Sequence, residues 1–205
     1  MTNFPEEYFR RYDESNDENF YVQPRKVVHI DDGAIAILQD KYAELLPQNG
    51  VYLDLMSSWR SHYPDALNAV RVDALGMNAD EMADNPQLDN YVVHNLNRNP
   101  VLPYENAIYH GVTCAVSVQY LTNPVKVFAE VNRVLQNDGV FVVSFSNRCF
   151  PTKAVAVWTA MRDLQHVALV TEYFQASGNW RDINTAIHNQ SNHDPMFIVW
   201  GYKAS

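Results

Sequence analysis

The residues best suited to chemistry in this chain stand immediately after apolar runs. Asp54-Leu55 closes the first such run, Met77-Asn78 the second, Asn95-Leu96 the third, Ser117–Tyr120 the fourth and Ser146-Asn147-Arg148 the fifth. Carboxylate, amide and hydroxyl groups gathered at such points can hold a polar ligand, and Asn147 with Arg148 suits a substrate carboxylate or phosphate. Upstream, FYVQPRKVVHID (20–31) sets Tyr21, Arg25 and His29 just ahead of a helical stretch. Other chemistries lack a signature. The seven histidines never occur at zinc-ligand spacing, so no metal site is expected. A G-x-S-x-G nucleophile elbow, a P-loop and a G-x-G-x-x-G dinucleotide turn are all missing. Cys114 and Cys149 are too few for a disulfide framework.

The elements that must position these groups alternate. Ile30, Ala34, Ile37, Leu38, Tyr42 and Leu45 recur at helical spacing, which predicts a helix over 31–46 stopped by Pro47 and Gly50. Strands are predicted at VYLDLM (51–56), AVRVDALGM (69–77), YVVHNL (91–96), GVTCAVSV (111–118), VFVVSFS (140–146) and PMFIVWGYK (195–203). NADEMADNP (78–86) reads as a short helix. PVKVFAEVNRVLQ (124–136) reads as an amphipathic helix with Pro124 in its first turn, and 153–176 as a further helix ended at Gly178. Strands and helices in this alternation predict an α/β fold, a doubly wound and mostly parallel sheet with helices on both faces. In such sheets ligands bind outside the carboxyl ends of the strands, where the polar residues above would gather.

Composition narrows the classes. With 205 residues the chain reads as a single domain, 1–205, and residues 1–28 as an N-terminal arm whose DESNDEN stretch (13–19) is expected to be a solvated lead-in. Fifteen Lys+Arg against 24 Asp+Glu give a net charge of −9, which disfavours a nucleic-acid partner. The densest basic group is Arg10, Arg11, Arg25 and Lys26. No run approaches the ~20 apolar residues of a membrane span, and the acidic N-terminus lacks a signal-peptide core. A cytoplasmic protein that meets neither membrane nor nucleic acid is expected.

Four blocks in order, VYLDLM (51–56), VRVDALGMNADEM (70–82), HNLNRNPVLPYENAIYHGVTCAVSVQYL (94–121) and PVKVFAEVNRVLQNDGVFVVSFSNR (124–148), resemble a class I S-adenosylmethionine-dependent methyltransferase of the type 11 kind. Glu130, Arg133, Val134, Leu135 and Gly139 fit that family's helix-to-strand turn. The first-strand turn departs from it: the glycines of D-x-G-x-G-x-G are replaced by Met56, Ser58 and Arg60. The ribose-binding acid aligns with Asn78 and the adenine-contacting aspartate with Asn95. The DLMSSW turn and SNRCFPTK (146–153) are similar to those of a methyltransferase-like subgroup.

The resemblance implies S-adenosylmethionine as cofactor, with S-adenosylhomocysteine as product, and a small-molecule acceptor. It implies Asp54, Met56, Ser57, Ser58, Asn78, Asn95 and Leu96 as the cofactor-binding set. Tyr120 and His62 are the candidates for handling an acceptor proton, Asn147 and Arg148 for binding substrate, and Tyr21, Arg25 and His29 for a lid. The alternative is a catalytically inactive or repurposed member that serves as a binding module or partner subunit.

Overall fold

The computed structural model describes residues 4–189 and 192–205; residues 1–3, the outermost part of the expected arm, lie outside it. Seven strands form one sheet: β1 (Val51–Ser57), β2 (Arg71–Gly76), β3 (Asn90–Val93), β4 (Tyr109–Ala115), β5 (Leu135–Phe145), β6 (Trp180–His188) and β7 (Met196–Lys203). Their order is β3-β2-β1-β4-β5-β7-β6. The first five run parallel, and β7 lies antiparallel between β5 and β6. The order reverses between β1 and β4, where a doubly wound sheet opens its ligand crevice.

The helices are α1 (Asp17–Tyr21), α2 (Asp32–Leu45), α3 (Ala79–Ala83), α4 (Pro124–Val134), α5 (Ala156–Ala160) and α6 (Leu164–Ser177). Asp31 caps α2 by accepting from the Ala34 N–H at 2.9 Å, and Ala34, Leu38 and Tyr42 bury one stripe four residues apart. On α4, Val127, Phe128, Val131 and Val134 are buried. Side chains alternate across β5: Val140 and Val142 pack toward α2, whereas Phe141, Val143 and Phe145 pack with α4 and α6.

The structure departs from expectation in several places: the strand predicted over 91–96 ends at Val93, that over 111–118 at Ala115, and that over 140–146 starts at Leu135. The helix predicted over 153–176 is two, because Met161 is extended and Asp163 takes φ +38° between them. A seventh strand, β6, is an edge strand that packs Trp180, Ile183 and Ala186 on the core three residues apart, with a register shift between Arg181 and Asn184, and so leaves no alternation to read. The helix predicted to 136 ends at Val134, since Leu135 already pairs with Tyr109 in the sheet.

Glu130 and Arg133, the family-like helix pair, hold the β3–β4 connection. Arg133 donates to the carbonyls of Leu102 (3.0 Å) and Tyr104 (2.9 Å), and Glu130 accepts from the Leu102 N–H (3.0 Å).

Candidate functional site

A cavity of about 300 Å³ opens at the carboxyl ends of β1, β2 and β4, at the small end of the range for small-molecule sites. The irregular end of β1 and the segment that follows it line one side. The β1–β2 register slips between Leu55 and Ser57, and Met56 at the slip takes φ +59°. That left-handed conformation ordinarily belongs to glycine, and it occurs at the first position where the resembling family carries one. The methionine thus keeps the glycine's backbone path while adding a side chain to the cavity wall. Gly76 allows the slip: a Cβ there would stand 2.4 Å from the Ser57 carbonyl oxygen and 2.9 Å from Met82 Sδ.

Asp54 is buried at this end of β1. Ser57 Oγ (2.5 Å) and Ser61 Oγ (2.6 Å) donate to its Oδ2, while Oδ1 has only the Thr113 hydroxyl at 3.5 Å. Desolvation pushes its carboxyl up to about 6, and the hydroxyls offset part of that rise. Asp54 is among the residues that line the cavity, and its Oδ1 carries the longest of its three hydrogen bonds. Ser58 lines it too, but its hydroxyl donates to Glu81 Oε2 at 2.6 Å.

At the β2 rim the expected roles divide. Asn78 lines the cavity, yet its side chain is already committed: Oδ1 caps α3 through the Glu81 N–H (3.0 Å), and Nδ2 donates to the Tyr21 carbonyl (2.8 Å). Glu81, which sequence reading did not single out, presents a carboxylate to the same space and also accepts from the Arg25 N–H at 2.5 Å. Its position one turn beyond the β2 end was legible; its reach across to the arm was not. Asn95 Oδ1 caps a turn through the Asn97 N–H (3.0 Å), and Leu96 is a buried wall residue.

The arm roofs this cavity. DESNDEN is mostly exposed, as expected of a solvated lead-in, but Asp17 is buried. Asp17 pairs with Arg11 (2.6 Å) and Lys153 (3.3 Å) and accepts from Asn97 Nδ2 (2.9 Å). Lys153 is fully buried; its Nζ also donates to the Ser15 carbonyl (2.8 Å) and meets Asp13 Oδ2 (3.1 Å). Backbone bonds from Asp13 to Thr152 (2.9 Å) and from Ala156 to Arg10 (2.7 Å) complete the seam. Tyr21, Arg25 and His29, the lid candidates, all reach the cavity wall.

Among the proton-handling candidates, Tyr120 stacks on Phe150 (6.0 Å) and its oxygen accepts from the Phe150 N–H at 2.8 Å. Burial raises its hydroxyl to about 12, so it keeps its proton and acts as a donor. His62 faces the cavity at φ +60°. Burial, then the Arg60 and His29 charges, lower it to about 4, which leaves a neutral imidazole able to accept a proton. Arg148 stands at the rim, but both Nε (2.9 Å) and Nη2 (2.7 Å) donate to Asp194. Asn147 is exposed and does not line the cavity.

Residues 56–143 match the profile of the family described as "Methyltransferase domain". Among solved structures, the chain is similar to a candidate S-adenosylmethionine-dependent methyltransferase from Listeria monocytogenes, with TM-score 0.60 and 13% identity over 85% of this chain and 100% of that one. It is similar to the [4+2]-cyclase SpnF, with TM-score 0.59 and 11% identity over 82% and 80% of the two chains. A third likeness is to phosphoethanolamine N-methyltransferase 2 of Haemonchus contortus in complex with S-adenosyl-L-methionine, with TM-score 0.57 and 11% identity over 85% and 53%. Identities this low establish the fold, here the Rossmann-like class I methyltransferase fold, and not an activity. No curated protein sequence matches the chain.

Proposed function

We propose that this chain, built on the class I methyltransferase fold, transfers a methyl group from S-adenosylmethionine to a small-molecule acceptor. The observation that carries the reading is the irregular end of β1, where Met56 holds the backbone conformation of the absent glycine beside a cavity whose lining includes Asp54 and Glu81. The donor set suits the cofactor. Asp54 offers a carboxylate oxygen to an ammonium group, Ser57 a hydroxyl, and Glu81 takes the place of the committed Asn78 as acceptor for ribose hydroxyls.

When bound, the cofactor supplies a methyl group on sulfonium sulfur, already a good leaving group. The protein's part is then alignment and exclusion of water. The arm, sealed by Lys153, serves the second purpose. His62 takes a proton from an acceptor that must lose one, and Tyr120 donates a hydrogen bond.

Calorimetric titration with S-adenosylmethionine and S-adenosylhomocysteine, after unfolding and refolding to strip any ligand, tests this. Micromolar affinity is expected; no binding up to millimolar overturns the reading. That second outcome would favour the repurposed binding module, for which the committed Asn78 amide and the three replaced glycines already speak.

A further inference from the structure

We infer that the outer wall of the cavity is an oxyanion site formed by the guanidiniums of Arg25 and Arg60, and that the methyl acceptor is therefore a small molecule bearing a carboxylate or phosphate. The word acceptor rests on the methyl-transfer reading; the anion site does not.

Both guanidiniums lie on aromatic faces. Arg25 Cζ stands 4.2 Å from the Phe20 ring centroid and 5.6 Å from that of Phe150, and Arg60 Cζ stands 4.4 Å from that of Trp59. Stacking occupies the flat of a guanidinium and leaves its N–H edge free for bidentate bonds to an oxyanion. Among the described residues neither guanidinium donates a hydrogen bond or meets a carboxylate within ion-pair distance. The other arginines of the same cavity are neutralised, Arg11 by Asp17 and Arg148 by Asp194.

The two arginines belong to one wall. Trp59 Nε1 donates to the Val27 carbonyl at 3.1 Å, which draws the segment carrying Arg60 against the segment carrying Arg25. His29 and His62 line the same cavity, and His29 and Arg25 both contact the Phe150 ring; after burial, the Glu81 charge and then the opposing Arg25 charge act on His29, and the Arg60 and His29 charges act on His62. The acids facing this wall are otherwise engaged. Glu81 accepts from the Ser58 hydroxyl and the Arg25 backbone N–H, and Asp54 sits deeper under its serines. Two stacked cations with open N–H edges and two imidazoles beside them match an oxyanion and repel a cationic acceptor.

The test follows the imidazole Cε1–H resonances of His29 and His62 through pH titrations of the full chain. The probes are inorganic phosphate and benzoate, each against chloride at equal ionic strength. A bound oxyanion favours the imidazolium, so both midpoints rise relative to chloride while those of His110 and His188, outside the cavity, stay put. The larger response of the two probes at His29, read at pH 6 and above where benzoate is fully ionised, identifies phosphate or carboxylate as the preferred group. Arg25→Gln and Arg60→Gln each weaken the response about tenfold in probe concentration, the worth of one charge-assisted hydrogen bond, and Arg60→Lys restores part of it. Identical midpoints in all three salts overturn the anion site.

Repeating the titration with saturating S-adenosylhomocysteine settles whose site it is. A persisting response supports the acceptor. A response abolished by that ligand gives the wall to the cofactor's own carboxylate and overturns the acceptor assignment. Failure of S-adenosylhomocysteine to bind at all defeats the methyl-transfer reading instead, while the salt response still reports on the anion site.

Discussion

Replacing Asp54 by asparagine should stabilise the protein and cost it its ligand. The carboxyl is buried and desolvation pushes it from 3.8 up to about 6. Between those values the folded state holds a proton that the unfolded chain has released, so wild-type stability falls as pH rises through the window. Above about pH 6 the loss is complete and amounts to about 3 kcal/mol. The Asp54→Asn variant carries no charge to desolvate and so escapes this penalty. Its amide carbonyl can still accept from Ser57 and Ser61, which both donate to one carboxylate oxygen in the wild type. Urea denaturation at pH 4.5, 5.5 and 7.5 is the assay. The variant is expected to be up to about 3 kcal/mol more stable at pH 7.5, with the difference shrinking toward pH 4. At the same time its affinity for S-adenosylhomocysteine should fall by about tenfold or more, the loss of one charged acceptor for an ammonium group. A variant less stable than wild type at pH 7.5, or a difference indifferent to pH, would refute the reasoning.

Other perturbations probe the seam and the turn. Lys153→Met leaves Asp17 with Arg11 as its remaining ion-pair partner and takes away the Asp13 ion pair, and should cost about 2–4 kcal/mol, less than a wholly orphaned buried ion because Arg11 remains on Asp17. Hydrogen exchange should show the Asp13 and Ala156 amides losing protection first; unchanged protection there would rule out the latch. Gly76→Ala drives a methyl against the Ser57 carbonyl and should lower stability by about 1–3 kcal/mol, read from a thermal melt. The His62 imidazole should stay neutral on acidification down to about pH 4, as its NMR titration would report; a midpoint near 6.5 would mean it is not buried beside Arg60.

What can be read in the sequence follows from local signals. Five parallel strands are apolar or β-branched runs punctuated by turn residues, and Asp54, Asn78, Asn95, Ser117, Tyr120 and Arg148 at or just beyond their ends meet in one cavity, whereas Asn147 does not reach it. What escapes is non-local or polar. β6 shows no alternation because its half-buried apolar residues, Trp180, Ile183 and Ala186, are spaced by three across a register shift. The docking of the arm depends on Lys153, about 140 residues away, and a cluster of acids and serines carries no hydrophobic trace of such a partner. Asn78 aligns with a binding position, but an asparagine before a short helix is also a cap, and the cap prevails. Glu81 is not legible because its role comes from reach, bridging Ser58 and the Arg25 backbone, which no spacing rule expresses.

The missing glycines speak against a cofactor more strongly than any other feature of the sequence, and the turn itself answers them in part. Glycine serves such a loop in two ways, by accepting a left-handed backbone and by leaving room above it. Met56 meets the first demand at φ +59°, for which a non-glycine residue gives up roughly 1–2 kcal/mol. The second demand is not met at the glycine positions, since Met56, Ser58 and Arg60 all line the cavity; Gly76 on the neighbouring strand supplies only the close approach that lets β1 slip. Met56→Gly should therefore leave stability within about 1 kcal/mol of wild type, because relief of the backbone offsets the packing that the methionine side chain provides. If the methionine merely tolerates the site, S-adenosylhomocysteine should bind the glycine variant as well or better. If binding instead collapses while the fold persists, the methionine side chain is itself part of the wall that grips the ligand, and the turn is a rebuilt site in which side-chain packing has taken over from the glycines.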